Sequence, residues 1–68
     1  MNFYIEHEQE SDGRWIAEIP DIPGVLCYGQ TLHEAINKAE ALALRILAER
    51  IETSNERLDS IHFLLAAA

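Results

Sequence analysis

One long amphipathic helix is the feature that most limits what this chain can fold into. Apolar residues recur at three- and four-residue steps over about 20 residues, or ~30 Å of helix. Thr31 followed by Glu34 predicts a capping box at its start, in which the hydroxyl accepts from the amide at the third helical position and the carboxylate reaches back to the cap amide. The polar run 53–55 ends the pattern. The apolar stripe consists of Leu32, Ala35, Ile36, Ala39, Leu42, Ala43, Ile46, Leu47 and Ile51.

Two alternating segments before the helix predict a β-hairpin. Residues 2–8 and 14–19 place successive side chains on opposite sides of an extended chain. The polar run 9–13 separates them and contains Asp12-Gly13, which is a strong turn signal because glycine accepts the positive φ of a tight hairpin.

A third strand is predicted over residues 25–29, an apolar run rich in β-forming residues. Pro20 ends the second strand because proline cannot donate to a ladder. We expect residues 20–24 to form a rigid, extended connection, since the residue before each proline is disfavoured in the helical region.

The segment after the helix is compatible with two structures. Residues 60–66 alternate in the manner of a closing strand. Alternatively, Ser54 caps a second short helix that continues through Leu58 and Ile61.

These elements predict an α+β fold in the order ββ-β-α-β, with a three-stranded antiparallel meander, one long helix and a closing strand. The 68 residues form a single domain, because a core of this size cannot be divided into two stable parts. Such a small core is marginal on its own, so we expect self-association into a dimer or tetramer.

One helix covers only one face of a sheet, so the other face is either polar or in contact with a partner. Strand alternation places apolar residues on both faces. From the alternation we predict a protein interface on the face away from the helix. An error of one residue in the strand register would place the candidate residues on the opposite face. The alternative is that this face is an ordinary amphipathic surface and not an interface. The interface candidates are Tyr4, Glu6, Ile16, Glu18, Tyr28 and His62.

The charge is acidic and unevenly placed. The formal net charge is −7, and residues 1–24 hold six acidic side chains against one basic side chain. This field repels a phosphate backbone and attracts a basic partner, so we expect no direct nucleic-acid binding by this chain. A lone cysteine and the absence of a leader pattern predict a cytoplasmic location, and the apolar runs fall short of the roughly 20 residues of a membrane span.

The residues that carry chemistry show no catalytic or metal-binding pattern. No glycine-rich phosphate loop or nucleophile elbow is present. Trp15 suits either the core of the hairpin or a binding hot spot, and we expect it in the core. Cys27 lies in a short apolar run, and we expect it to be a small buried hydrophobic residue and not a nucleophile. His7, His33 and His62 lack metal-ligand spacing. We therefore predict no enzyme activity, no metal and no cofactor.

Two motifs lie on either side of the third predicted strand. The first is Ala17-Glu18-Ile19-Pro20-Asp21-Ile22-Pro23-Gly24, within the stretch 12–25, and the second is Gly29-Gln30-Thr31-Leu32-His33-Glu34-Ala35. Together they resemble the HicB-like antitoxin domain. The resemblance implies a partial RNase H-like fold without the catalytic carboxylates of the nuclease. It also implies a role in a type II toxin–antitoxin pair, in which the chain binds and neutralises a small, basic, HicA-like ribonuclease toxin. An acidic N-terminal half suits such a partner.

Many members of that family add a C-terminal DNA-binding domain, and the chain stops at Ala68 without one. We therefore expect residues 1–68 to be a single HicB-like domain that does not bind operator DNA. A solitary oligomeric scaffold or small-ligand-binding protein of the same fold is the alternative function. A metal-dependent nuclease is a third hypothesis, and it would require Asp12, Asp21 and Asp59 to converge on magnesium.

Overall fold

The computed structural model describes residues 1–67 and contains one helix and four strands, in the predicted order ββ-β-α-β. The α+β class is confirmed. The elements are β1 (Asn2–Gln9), β2 (Trp15–Glu18), β3 (Leu26–Gly29), α1 (Leu32–Ser54) and β4 (His62–Ala67).

The four strands form one mixed sheet in the order β3-β2-β1-β4. β1, β2 and β3 make the predicted antiparallel meander, and β4 lies parallel to β1. The predicted hairpin is also confirmed: the Glu10 amide donates to the Arg14 carbonyl at 2.7 Å, and Gly13 turns the chain at a φ of 92°.

A closing strand follows the helix, so the alternative of a second helix capped by Ser54 is wrong. Ser54 is the last residue of α1, and Asn55 stops the helix in the left-handed region, which asparagine tolerates better than most residues. β4 then pairs with β1, and this places the ring of Phe63 6.1 Å from that of Phe3.

The segment between β2 and β3 is compact, and the prediction of an extended connection was wrong. The Ile22 amide donates to the Ile19 carbonyl at 3.0 Å, and the Val25 amide donates to the Ile22 carbonyl at 3.2 Å. Each proline therefore occupies the second position of a four-residue turn, which its fixed φ favours. The two turns bury Ile22 to 1% exposure, so this segment contributes a core residue.

The core lies between α1 and one face of the sheet. The helix contributes Ala35, Ala39, Ala43 and Leu47, and the three small alanine side chains allow its backbone to lie close to the strands. The sheet and its connections contribute Phe3, Ile5, Ala17, Ile19, Ile22 and Val25. Trp15 and Cys27, which were expected in the core, are partly buried and pack against it.

The helix is longer than the sheet that it covers. It has 23 residues, or ~34 Å at the usual rise, and the molecule measures 42 × 17 × 16 Å. Ile51, which the apolar stripe included, is consequently 40% exposed near the end of the helix. The helix packs mainly against β3 and β2 and less against β1.

The helix begins with the predicted cap. The Thr31 hydroxyl accepts from the Glu34 amide at 3.1 Å. The Glu34 carboxylate accepts from the Gln30 amide at 3.1 Å, one residue before the cap amide that the sequence predicted. Lys38 lies 3.3 Å from the same carboxylate. The Gln30 amide and then Lys38 lower the pKa of Glu34 below its ordinary value of 4.5.

Gly29 sets how closely β3 approaches the start of the helix. A Cβ added there would lie 2.5 Å from the backbone nitrogen of Ala35. We predict that Gly29→Ala lowers the free energy of unfolding by about 1–3 kcal/mol, because two backbones would have to separate. Urea denaturation checks this against Gln30→Ala, an exposed neighbour expected to change stability by less than about 0.5 kcal/mol. Equal effects of the two substitutions would contradict the close-approach argument.

Glu34 should make the stability of the chain depend on pH. Because its pKa is lowered in the folded state, its contribution is present above its ordinary pKa of 4.5 and is lost as the pH falls through the folded value. Glu34→Gln should therefore be less stable than the unsubstituted chain at neutral pH, with the difference shrinking in acid. Thermal unfolding between neutral pH and about pH 3 measures this. Glu40→Gln, in the middle of the helix, is the control, and a gap that stays constant with pH would refute the assignment to Glu34.

Candidate protein-interaction surface

The side of the sheet that faces away from α1, here called the outer face, collects all six predicted interface residues. The strand registers place them there because directly paired residues project to the same side of a sheet. β1 contributes Tyr4 and Glu6, β2 contributes Ile16 and Glu18, β3 contributes Tyr28, and β4 contributes His62.

Apolar side chains are exposed across this face. Tyr4 is 52% exposed, Leu26 46%, Tyr28 41% and Leu64 40%. Leu26 and Leu64 were absent from the six predicted candidates, although the same alternation places them on this side. Ile16 lies between Tyr28 and Glu8 in the register and is half-buried. The apolar residues thus come from all four strands.

Two carboxylates lie next to each other at the middle of the outer face. Glu6 and Glu18 are direct cross-strand partners, and their row continues to Leu26 on one side and Ala66 on the other. Glu8 follows Glu6 on the same side of β1. Like charges directly opposite one another destabilise a sheet, so this arrangement has an energetic cost for the isolated chain.

The one strongly basic side chain of the three-stranded meander does not form an ion pair with either carboxylate. Arg14 is the only Lys or Arg in residues 1–29, and its Nε lies 2.8 Å from Asp12 Oδ2. Its guanidinium also stacks 4.7 Å from the centre of the Tyr28 ring. The Arg14 amide and then the Arg14 side chain lower the pKa of Asp12. Arg14 is therefore held at the hairpin end of the face, by Asp12 and Tyr28.

The residues considered for chemistry are dispersed. Asp12 lies in the hairpin loop, Asp21 in the turns at the other end of β2, and Asp59 in the segment before β4. Within residues 1–67, no three His, Cys, Asp or Glu side chains are grouped as metal ligands would be. This part of the chain also encloses no pocket, and its single helix is not both long and apolar enough to cross a membrane.

No protein-family model, curated protein or solved structure matches the chain.

Neutralising one member of the central pair should stabilise the free chain. We predict that Glu18→Gln raises the free energy of unfolding by about 0.2–1 kcal/mol at low salt, because it removes the cross-strand repulsion with Glu6. The gain should shrink at high salt, where surface charges are screened. Urea denaturation at two salt concentrations measures both effects. Glu40→Gln on the helix makes the same charge change without a cross-strand carboxylate, and an equal gain from it would contradict the explanation.

Proposed function

We propose that this chain is a non-enzymatic protein-binding module of the HicB-like antitoxin type, and that its outer face binds and neutralises a basic, HicA-like ribonuclease toxin. The two motifs at 17–24 and 29–35 support the family assignment. The element order ββ-β-α-β agrees with the partial RNase H-like arrangement that the resemblance implies.

The single observation that carries the proposal is the unneutralised Glu6–Glu18 pair amid exposed apolar side chains. A partner that supplies an arginine or lysine at this point relieves the repulsion and gains charge-assisted hydrogen bonds. Tyr4 and Tyr28 suit the surrounding contact, because tyrosine buries a large apolar area with little loss of side-chain entropy. The acidic centre thus favours a basic partner, and the apolar rim favours a protein over a free ion.

The size of the face indicates how the partner must lie. Four strands spaced ~4.8 Å apart and ~20 Å long present only a few hundred Å², whereas a typical specific complex buries about 800 Å² on each partner. The toxin must therefore contact more than the strands. The hairpin loop continues from the face and adds Glu10, an acidic group that helps to steer a basic protein towards it, whereas Asp12 is already paired with Arg14.

Co-expression with a HicA-like toxin encoded next to this chain tests the proposal. We expect a complex in size-exclusion chromatography with light scattering, and loss of the toxin's ribonuclease activity when the chain is added. The double variant Glu6→Gln/Glu18→Gln should bind at least ~10-fold more weakly, which corresponds to about 1.4 kcal/mol.

The matched control is Glu40→Gln/Glu49→Gln, which removes the same charge from the helix and should retain the affinity. Equal weakening by both double variants would indicate general charge attraction and remove the outer face from the proposal. A chain that neither binds the toxin nor lowers its activity would refute the antitoxin function. Its isolation as a stable homo-oligomer would then favour the solitary scaffold.

A further inference from the structure

β4 is an edge strand with free backbone groups on one side. β1 is its only neighbour in the sheet within residues 1–67. The His62 amide donates to the Met1 carbonyl at 2.9 Å, so His62 points its backbone groups towards β1. Because these groups alternate in direction along a strand, Leu64 and Ala66 also point towards β1. Phe63, Leu65 and Ala67 therefore direct their N–H and C=O groups away from the sheet.

This edge lacks the features that normally prevent edge-to-edge pairing. Proteins protect such strands with charged side chains, proline, bulges or short length. β4 has six residues, no Asp, Glu, Lys, Arg or Pro, and an unbroken register with β1. The opposite edge, β3, has only four residues, follows Pro23-Gly24 and ends at Gly29. β4 is therefore more available than β3 for pairing with a further strand.

Leu65 is an exposed apolar residue on the helix side of β4. It is 58% exposed, more than any other large apolar side chain in the described chain. It projects to the same side as its register partner Ile5, which is fully buried. The difference arises because α1 packs mainly over β3 and β2, so on the helix side of β4 Phe63 packs against the core but Leu65 stays exposed.

We propose that β4 pairs with β4 of a second copy of this chain, antiparallel and around a two-fold axis perpendicular to the sheet. With Leu65 of one copy opposite Leu65 of the other, Phe63 of each copy pairs with Ala67 of its mate. All three outward-pointing residues then exchange hydrogen bonds, since they are symmetric about Leu65. The two Leu65 side chains meet on the helix side and cover each other. The product is a continuous eight-stranded sheet with both helices on one side.

The charge distribution favours a second copy over a different partner at this edge. The chain carries −7 overall, so most contacts between two copies bring carboxylates together. β4 contains none, and the Glu6–Glu18 pair and the hairpin loop lie towards the other strands of the sheet. A basic partner would gain nothing from an edge without acidic groups. The outer face stays open in the dimer, so this inference does not depend on the proposed toxin binding.

Light scattering after size-exclusion chromatography of the full chain tests the dimer. We expect about 15.4 kDa, twice the 7.7 kDa of one chain. Leu65→Lys places like charges opposite each other across the axis, and Leu65→Pro removes the central outward N–H while leaving the ladder with β1 intact. Both should halve the mass while retaining the native circular dichroism spectrum. Leu44→Lys, at an apolar helix residue that is 48% exposed, is the matched control and should remain dimeric.

Cysteine cross-linking tests the position of the axis. In a Cys27→Ala background, Leu65→Cys should form an intermolecular disulfide on mild oxidation, because hydrogen-bonded antiparallel partners have Cα atoms ~5.5 Å apart. Leu44→Cys should not. A monomer at all concentrations, a dimer that survives both Leu65→Lys and Leu65→Pro, or equal cross-linking at the two positions would each overturn the proposal.

Discussion

The close approach of α1 to the sheet is the interaction on which the rest of the structure depends. It is possible because the contact is made by alanines on the helix and by Gly29 where β3 meets it. Small residues on both sides bring backbones together, so a helix with few large buried side chains still excludes water from the sheet. Leu47 is the one large side chain among the fully buried helix residues, and it lies beyond the three alanines. The helix therefore packs closely against the sheet at its N-terminal end and less closely towards its C-terminal end.

The position of that contact explains why so much apolar surface remains open. A single helix about 10 Å wide cannot cover four strands that span ~14 Å, and here it lies over β3 and β2. The uncovered surface falls into two parts of different chemistry. The outer face combines apolar groups with carboxylates, whereas the β4 edge is apolar and uncharged. The two parts therefore suit different occupants, and occupation of one leaves the other accessible.

Sequence reasoning succeeded where the signal is local. Strand alternation placed Tyr4 and Glu18 on the same face because a period of two is a property of each strand by itself. It failed where the outcome depends on distant contacts. The prolines at 20 and 23 restrict the residues before them, but the folding of that segment into two turns around Ile22 depends on the core that Ile22 enters. The helical period likewise identified the buried side of α1, but it did not show where the sheet beneath the helix ends. Ile51 therefore belongs to the apolar stripe and is still 40% exposed. Whether the outer face binds a toxin is a question of partner identity, on which alternation has no bearing.

The pairing of β1 with β4 joins residues at opposite ends of the described chain, such as Phe3 with Phe63. Closing a loop of about 60 residues costs ~2 kcal/mol more chain entropy than closing the short hairpin between β1 and β2. The meander and the helix can form from contacts near in sequence, but β4 must wait until β1 is already in place. We therefore expect the outermost strand to be the last part of the sheet to assemble and the first to exchange its amide hydrogens. In a single chain β4 is hydrogen-bonded to a neighbouring strand on one side only. A second copy bound along β4 would therefore slow the exchange of its amide hydrogens.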